Sequence, residues 1–290
     1  MINNYEELSF NEAIDLLRQW REGNERKSED IMQLWLQVVV SDLDKIGNEK
    51  YLVLEQVIYA ALDCHMFELA TMCIYQLAMD FPGSLRVMRY NAALLEAEEK
   101  YDEALEVLDR IIKSDETNSV ARKRRVAILK AQGLITEAIK DLVDYLKKFM
   151  SDVEGWQELC ELYLQVQEYS RAAFCAEELI LHQPHNHLMH QKLADIRYTM
   201  GGMENLELAK TYYCQALKLN PDNMRALLGL FLVTSNLLSQ YKSWGAGGKR
   251  AEAMKLCAWA QSRARRPAPR DKRPPAPQLA DALQALAITD

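Results

Sequence analysis

Apolar residues recur along this chain at helical spacing, in paired stripes separated by short polar breaks. The pattern is sharpest between Asp152 and Pro184. There Trp156, Leu159, Cys160 and Tyr163 share one face of a first predicted helix, and Ala172, Ala176 and Leu179 share one face of a second. Counted from Val153, Ala172 is the twentieth residue of the unit. Steps of about 34 residues place Ala70, Ala104 and Ala138 at the same position, and a step lengthened around Gly201-Gly202 places Ala209 there. Helices that cross with axes about 8–10 Å apart leave room for little more than a methyl group, which explains an alanine in phase.

A helical hairpin with that period is the pattern of a tetratricopeptide repeat. The predicted fold is therefore all-α, a right-handed superhelical solenoid of tetratricopeptide-type hairpins. Residues 1–50 read as N-terminal capping helices, 51–223 as five repeats, and 224–265 as a degenerate repeat with a closing helix. Residues 266–278 read as a Pro/Arg-rich linker, and 279–290 as a short amphipathic helix carrying Leu279, Leu283 and Leu286. Ser9 and Glu12 form a capping-box pattern ahead of Phe10, Ala13, Leu17 and Trp20. Ser28 is expected to cap a second helix with Ile31, Leu34, Trp35, Val38 and Val39 on its apolar side. This pair lies outside the repeat register, as expected for an element covering the open end of a stack. Toward the other end, Met224–Ser239 is expected as one more first helix, Gly245–Gly248 as a flexible loop, and Lys249 as the start of the closing helix.

Composition narrows the class. With 49% apolar and 27% charged residues the chain reads as globular and soluble. Its six cysteines include no C-x-x-C pair, and Cys160 and Cys175 fall inside repeat helices, so reduced thiols are expected. Met1–Phe10 is polar and acidic, which predicts no signal peptide. The apolar stretch Ile31–Val40 is interrupted by Gln33 and Gln37 and falls well short of the roughly 20 residues a membrane span needs. The net charge of −7 is uneven: Lys249–Arg273 carries nine Lys/Arg against two acidic residues, a local +7, so the rest sums to −14. An acidic body argues against a long nucleic-acid track. The basic block either meets anionic headgroups or is a solvated linker, which its prolines favour.

Several strings resemble one family: Leu16-Leu17-Arg18-Gln19-Trp20-Arg21-Glu22, Ala172-Ala173-Phe174-Cys175, Asn186-His187-Leu188 after Pro184-His185, Gly201-Gly202-Met203-Glu204-Asn205-Leu206-Glu207-Leu208, and Gln215-Ala216-Leu217-Lys218-Leu219-Asn220. They are similar to subunit 2 of the endoplasmic reticulum membrane protein complex. The likeness covers roughly residues 10 to 260 and resumes over Leu283–Thr289, departing between about Arg263 and Gln278. The resemblance implies a non-catalytic scaffold, peripheral on the cytoplasmic face of the endoplasmic reticulum membrane. Its implied partners are cytosolic segments of the membrane-embedded subunits and a soluble eighth or ninth subunit. The implied assembly is an insertase for tail-anchored and multipass proteins. The alternative class is a free-standing peptide-binding co-chaperone.

In this repeat geometry the first helix of each hairpin lines the binding groove. The candidate groove residues are Glu55, Tyr59, Arg86, Arg89, Lys123, Lys130, Gln157, Glu161, Gln191 and Asp195. Their mixed charge suits an amphipathic helix or an extended segment of alternating charge. The carboxylate clamp of co-chaperone repeats wants basic and amide residues where this chain has Glu55, Tyr59, Tyr90, Val120 and Arg124, and only Arg124 fits. Glu55 would repel a carboxylate. His182, His185, His187 and His190 crowd one turn without a Cys or carboxylate to complete a metal site, so a capping role is expected. Arg122–Arg125 is either a solvated helix face or, through Lys123, part of the groove. Gly201-Gly202 follows a helix and lacks the phosphate-binding glycine pattern. No nucleophile–base constellation is present, so no enzyme activity, cofactor, metal or nucleic-acid partner is expected.

Overall fold

The computed structural model describes Tyr5, residues 8–244 and residues 247–264. The predicted linker and C-terminal helix lie outside the described residues, as do Gly245 and Ala246. Among the described residues the chain forms fourteen α-helices and no strand. They are α1 (Phe10–Glu22), α2 (Ser28–Leu34), α3 (Lys50–Asp63), α4 (Phe67–Asp80), α5 (Leu85–Ala97), α6 (Tyr101–Ser114) and α7 (Ser119–Ala131). There follow α8 (Ile135–Lys148), α9 (Val153–Gln165), α10 (Tyr169–His182), α11 (His187–Met200), α12 (Met203–Leu219), α13 (Met224–Trp244) and α14 (Gly247–Ala264). Two compact units result, Met1–Asp141 and Leu142–Asp290, divided inside α8.

The in-phase alanines are all inside. Ala70, Ala104, Ala138, Ala172 and Ala209 each expose 0% of their surface. At the eighth place of the same repeats stand Ile58, Ala92, Val126, Cys160 and Ala194, also at 0%. The two places meet directly in α9 and α10, where the Cys160 thiol donates to the Ala172 carbonyl at 3.5 Å. Between α12 and α13 a glycine does the same work. A Cβ on Gly229 would lie 2.4 Å from the ring of Tyr213, and that ring is held in place because its hydroxyl donates to Asp195 at 2.6 Å.

Helix ends repeat as regularly as the core. Three of the five first helices, α7, α9 and α11, start on a side-chain acceptor: Asn118 takes the Ala121 N–H at 3.0 Å, Asp152 takes that of Gly155 at 3.2 Å, and Asn186 that of Leu188 at 3.0 Å. They end in a left-handed residue, at His65, Glu99, Gly133, Gln167 and Gly201, again one repeat apart. In the first four the next N–H reaches back five residues: Met66 to Ala61, Lys100 to Leu95, Leu134 to Leu129 and Glu168 to Tyr163, at 2.8–2.9 Å. This is the Schellman closure, which satisfies helix-end carbonyls and turns the chain toward its second helix. Only two of the five positions carry glycine, so composition alone does not reveal them.

The N-terminal pair departs from expectation in two places. Ser9 and Glu12 do form the capping box of α1. Ser28, expected as a cap, is instead the first residue of α2, and its hydroxyl donates to Asp63 at 2.5 Å. The second helix also does not run on through Val39. It widens into a π turn over Trp35–Val39 and continues as a kinked 3-10 segment, Val40–Glu49, with Gly47 at φ +64°. The β-branched run Val38–Val40 disfavours regular α-helix, and the wider turn keeps Trp35 and Val39 both buried. Glu49, at the end of this segment, accepts from Arg18 at 2.9 and 3.1 Å and from Arg21 at 2.8 Å, tying α1 to the start of α3.

Two outcomes follow. Gln167→Gly removes the steric cost of a left-handed side chain and is expected to raise stability to urea by about 0.5–1 kcal/mol; a loss would contradict the turn assignment. The Arg18 hydrogen bond, the largest influence, holds the Glu49 carboxyl below its ordinary value. A depressed folded value gives stability that is present above the unfolded value, about 4.3, and lost as pH falls through the folded one. Glu49→Gln should therefore lower the melting temperature at neutral pH, with the gap to wild type closing in acid. A gap unchanged at low pH would contradict it.

Candidate partner-binding surface

Because second helices bury their alanine stripe against first helices, the outer faces of the first helices are left to do other work. First helices touch first helices, α3 with α5 and α11 with α13. In the Met1–Asp141 unit, α1, α2, α3 and α5 enclose an open cavity of about 650 Å³. Trp20 and Tyr59 give it aromatic walls, and Arg21, Arg86, Glu55 and Asp63 give it charge of both signs. Two atoms on lining residues, Arg21 Nη1 and Gln56 Oε1, are buried with no hydrogen-bond partner among the described residues. A polypeptide brings its own donors and acceptors to such a wall.

Three of the predicted groove residues, Glu55, Tyr59 and Arg86, line this cavity. Glu55 is neutralised locally: Arg86 Nη2 donates to it and Arg89 lies 3.9 Å away. Arg86 Nε also donates to the Tyr90 hydroxyl at 2.9 Å. Burial first, and then the Glu55 carboxylate, push the Tyr90 phenol up to about 12. Tyr59 stands edge-on to Tyr90 at 5.8 Å and is 38% exposed, an aromatic held by its neighbour with one side open. Arg89 lies beside the Tyr90 ring at 5.7 Å and is mostly covered. On α7, Lys123 is half-buried and Lys130 exposed, while the neighbouring Arg124 is tied to Glu96 at 2.6 Å and Arg125 bridges Asp109 and Asp141.

The remaining four predicted residues belong to the Leu142–Asp290 unit. Gln157 and Glu161 are exposed on α9, and Glu161 accepts from Lys192 at 3.2 Å. Gln191 is a correction: it is 7% exposed and its amide oxygen accepts from Asn223 at 2.9 Å, so it holds α11 to the start of α13 and does not present an open face. Asp195 is partly covered, accepting from Tyr213 and, at 3.1 Å, from Arg225. The turn histidines bind locally as well. His190 meets the Pro184 carbonyl at 2.9 Å, and His187 lies between the Asn220 and Asn223 amides. Among the described residues no group of three or more His, Cys, Asp or Glu is placed to hold a metal.

Two apolar surfaces escaped the sequence reading. Trp156, Phe174, Met150 and Tyr163 line a groove of about 420 Å³ along α8–α10, with Lys147 and Arg171 at its edge. Trp156 and Phe174 meet edge-on at 6.1 Å, so Trp156 is a groove wall as much as core. On α4, Met72, Tyr75 and Met79 are exposed. The available signal was a helix apolar on every side, which a one-face search passes over. The thiols offer little chemistry: burial pushes Cys73 up to about 11 and Cys175 up to about 12, which keeps both protonated at neutral pH.

The family model described as the EMC2 TPR-like repeat domain matches residues 72–203. The chain is 43% identical to ER membrane protein complex subunit 2-A of Xenopus laevis over 256 residues, 88% of this chain and 86% of the relative. It is 35% identical to ER membrane protein complex subunit 2 of Dictyostelium discoideum over 277 residues, 90% of this chain and 86% of the relative. Among solved structures, the C-terminal part of a TPR repeat-containing protein from Cytophaga hutchinsonii aligns with a TM-score of 0.61 over 91% of this chain and 97% of that one. At 14% identity that likeness is one of fold, a helical-repeat solenoid. The similarity to the subunit 2 proteins spans most of both chains, and the chain belongs to the family of ER membrane protein complex subunit 2.

Proposed function

We propose that the chain is a non-catalytic scaffold of the ER membrane protein complex, peripheral on the cytoplasmic face of the membrane. In this reading it holds cytosolic segments of the membrane-embedded subunits, and a soluble eighth or ninth subunit, within an insertase for tail-anchored and multipass proteins. The observation that carries the binding role is the cavity between α1–α3 and α5, where Tyr59 and Arg86 stand partly open to solvent on a rigid helical wall. Tyrosine and arginine are the residues that most often anchor a partner. The names of the relatives supply the assembly. No helix among the described residues is long and apolar enough to cross a membrane, which suits attachment through partners.

The co-chaperone alternative fares worse on geometry than on charge alone. Glu55 is paired with Arg86, which softens its repulsion of a carboxylate. But Arg124, the one residue matching the clamp, is itself held by Glu96. Purification of the tagged full chain from detergent-solubilised membranes separates the readings. The scaffold elutes in a large assembly, the co-chaperone as a monomer with a chaperone. Tyr59→Ala together with Arg86→Gln should reduce recovery of the other subunits by about tenfold or more, with helix content by circular dichroism unchanged. Full recovery would remove this cavity from the binding surface.

A further inference from the structure

We propose that the groove along α8–α10 is a second docking site, and that it takes an acidic amphipathic helix of a partner protein. The site does not rest on the cavity of the other unit, since every lining residue lies within Leu142–Asp290. Leu146, Leu159 and Tyr163 form its buried side, and Met150, Trp156 and Phe174 stand around them. The Trp156 indole N–H donates to the Met150 carbonyl at 2.8 Å and its ring meets Phe174 edge-on, which fixes the wall before any partner arrives. Met150 and Phe174 nevertheless expose 67% and 55% of their surface. Apolar area held in water in this way is stabilised by whatever covers it. A volume of about 420 Å³ admits a few large side chains. Those are the anchors that a helix presents at i, i+3 or i+4, and i+7.

Charge decides which helix fits. Lys147 and Arg171 line the groove, and no carboxylate among the described residues does. Asp144 meets Lys147 at 2.8 Å, but both side chains are exposed, and a surface pair of that kind is weak and readily exchanged. Arg171 is exposed and lies over the Tyr163 ring at 5.7 Å, with no carboxylate partner among the described residues. Glu168, Glu177 and Glu178 stand before and after the groove on α10 without lining it, and Glu177 is tied to Arg197 at 2.5 Å. A purely apolar partner would cover Arg171 without a counter-charge, which is costly. A basic helix would set like charges against both cations. A helix with leucine or aromatic anchors beside glutamate or aspartate satisfies the walls and the rim together.

The test is fluorescence anisotropy of a fluorescein-labelled peptide titrated with the full chain. The probe is about 16 residues long, with leucine at i, i+3, i+4 and i+7 and glutamate elsewhere. It should bind saturably, and peptides with lysine for glutamate or serine for leucine should bind at least about tenfold more weakly. Lys147→Glu with Arg171→Glu should reverse the order, so that the lysine peptide binds better than the glutamate one. Phe174→Ala should weaken the glutamate peptide about tenfold or more at unchanged charge, with helix content intact by circular dichroism. Tyr59→Ala with Arg86→Gln, the cavity variant, should leave peptide binding unchanged, which separates this site from the other. No saturable binding, equal binding of the glutamate and lysine peptides, or binding unmoved by the groove variants would overturn the proposal. So would a concentration-dependent dimer of the peptide-free chain that Phe174→Ala dissolves, since the occupant would then be a second copy.

Discussion

A methyl group is the largest side chain that fits where the second helix of each hairpin crosses the first. Ala70, Ala104, Ala138, Ala172 and Ala209 are sealed from solvent, and in α9 and α10 a thiol on one helix touches the backbone of the other. Close crossing lets short helices of 13 or 14 residues, weak on their own, bury a core against the helix each one crosses. It also decides function. Side chains spent on the crossing are unavailable to a partner, and the outward faces of the first helices become the place where charge and aromatic area accumulate.

The crossings were legible because alanine fills the twentieth place of all five repeats, so its period survives in the letters. The turns were not. A left-handed residue recurs at His65, Glu99, Gly133, Gln167 and Gly201, yet only glycine announces such a backbone, and the Schellman bonds that hold the turn are made by main-chain groups. The eighth place, facing the alanine, was likewise hidden because Ile58, Val126 and Cys160 do the same work as Ala92 and Ala194. The π turn at Trp35–Val39 left only a run of valines as its trace.

The candidate surface was legible by position and misread by partnership. Stepping along the repeat found Glu55, Tyr59 and Arg86, which line one cavity. It did not find that Glu55 is paired with arginine, or that Gln191 is spent on Asn223. Pairings between repeats join residues about thirty apart, and a period says where each side chain begins without saying what it reaches. The groove beside Trp156 and the exposed strip on α4 were missed for the converse reason, since an apolar residue in a helical pattern reads as core whichever way it faces.

The account rests on the crossing, so unfolding free energies of single substitutions there test it most directly. Ala104→Leu and Ala172→Leu, one in each unit, overpack a contact with no spare volume, while Ala127→Leu extends an exposed position on α7. In urea, the first two should each lose about 1–3 kcal/mol and the third should stay close to wild type. Leucine tolerated equally at all three positions would contradict the account.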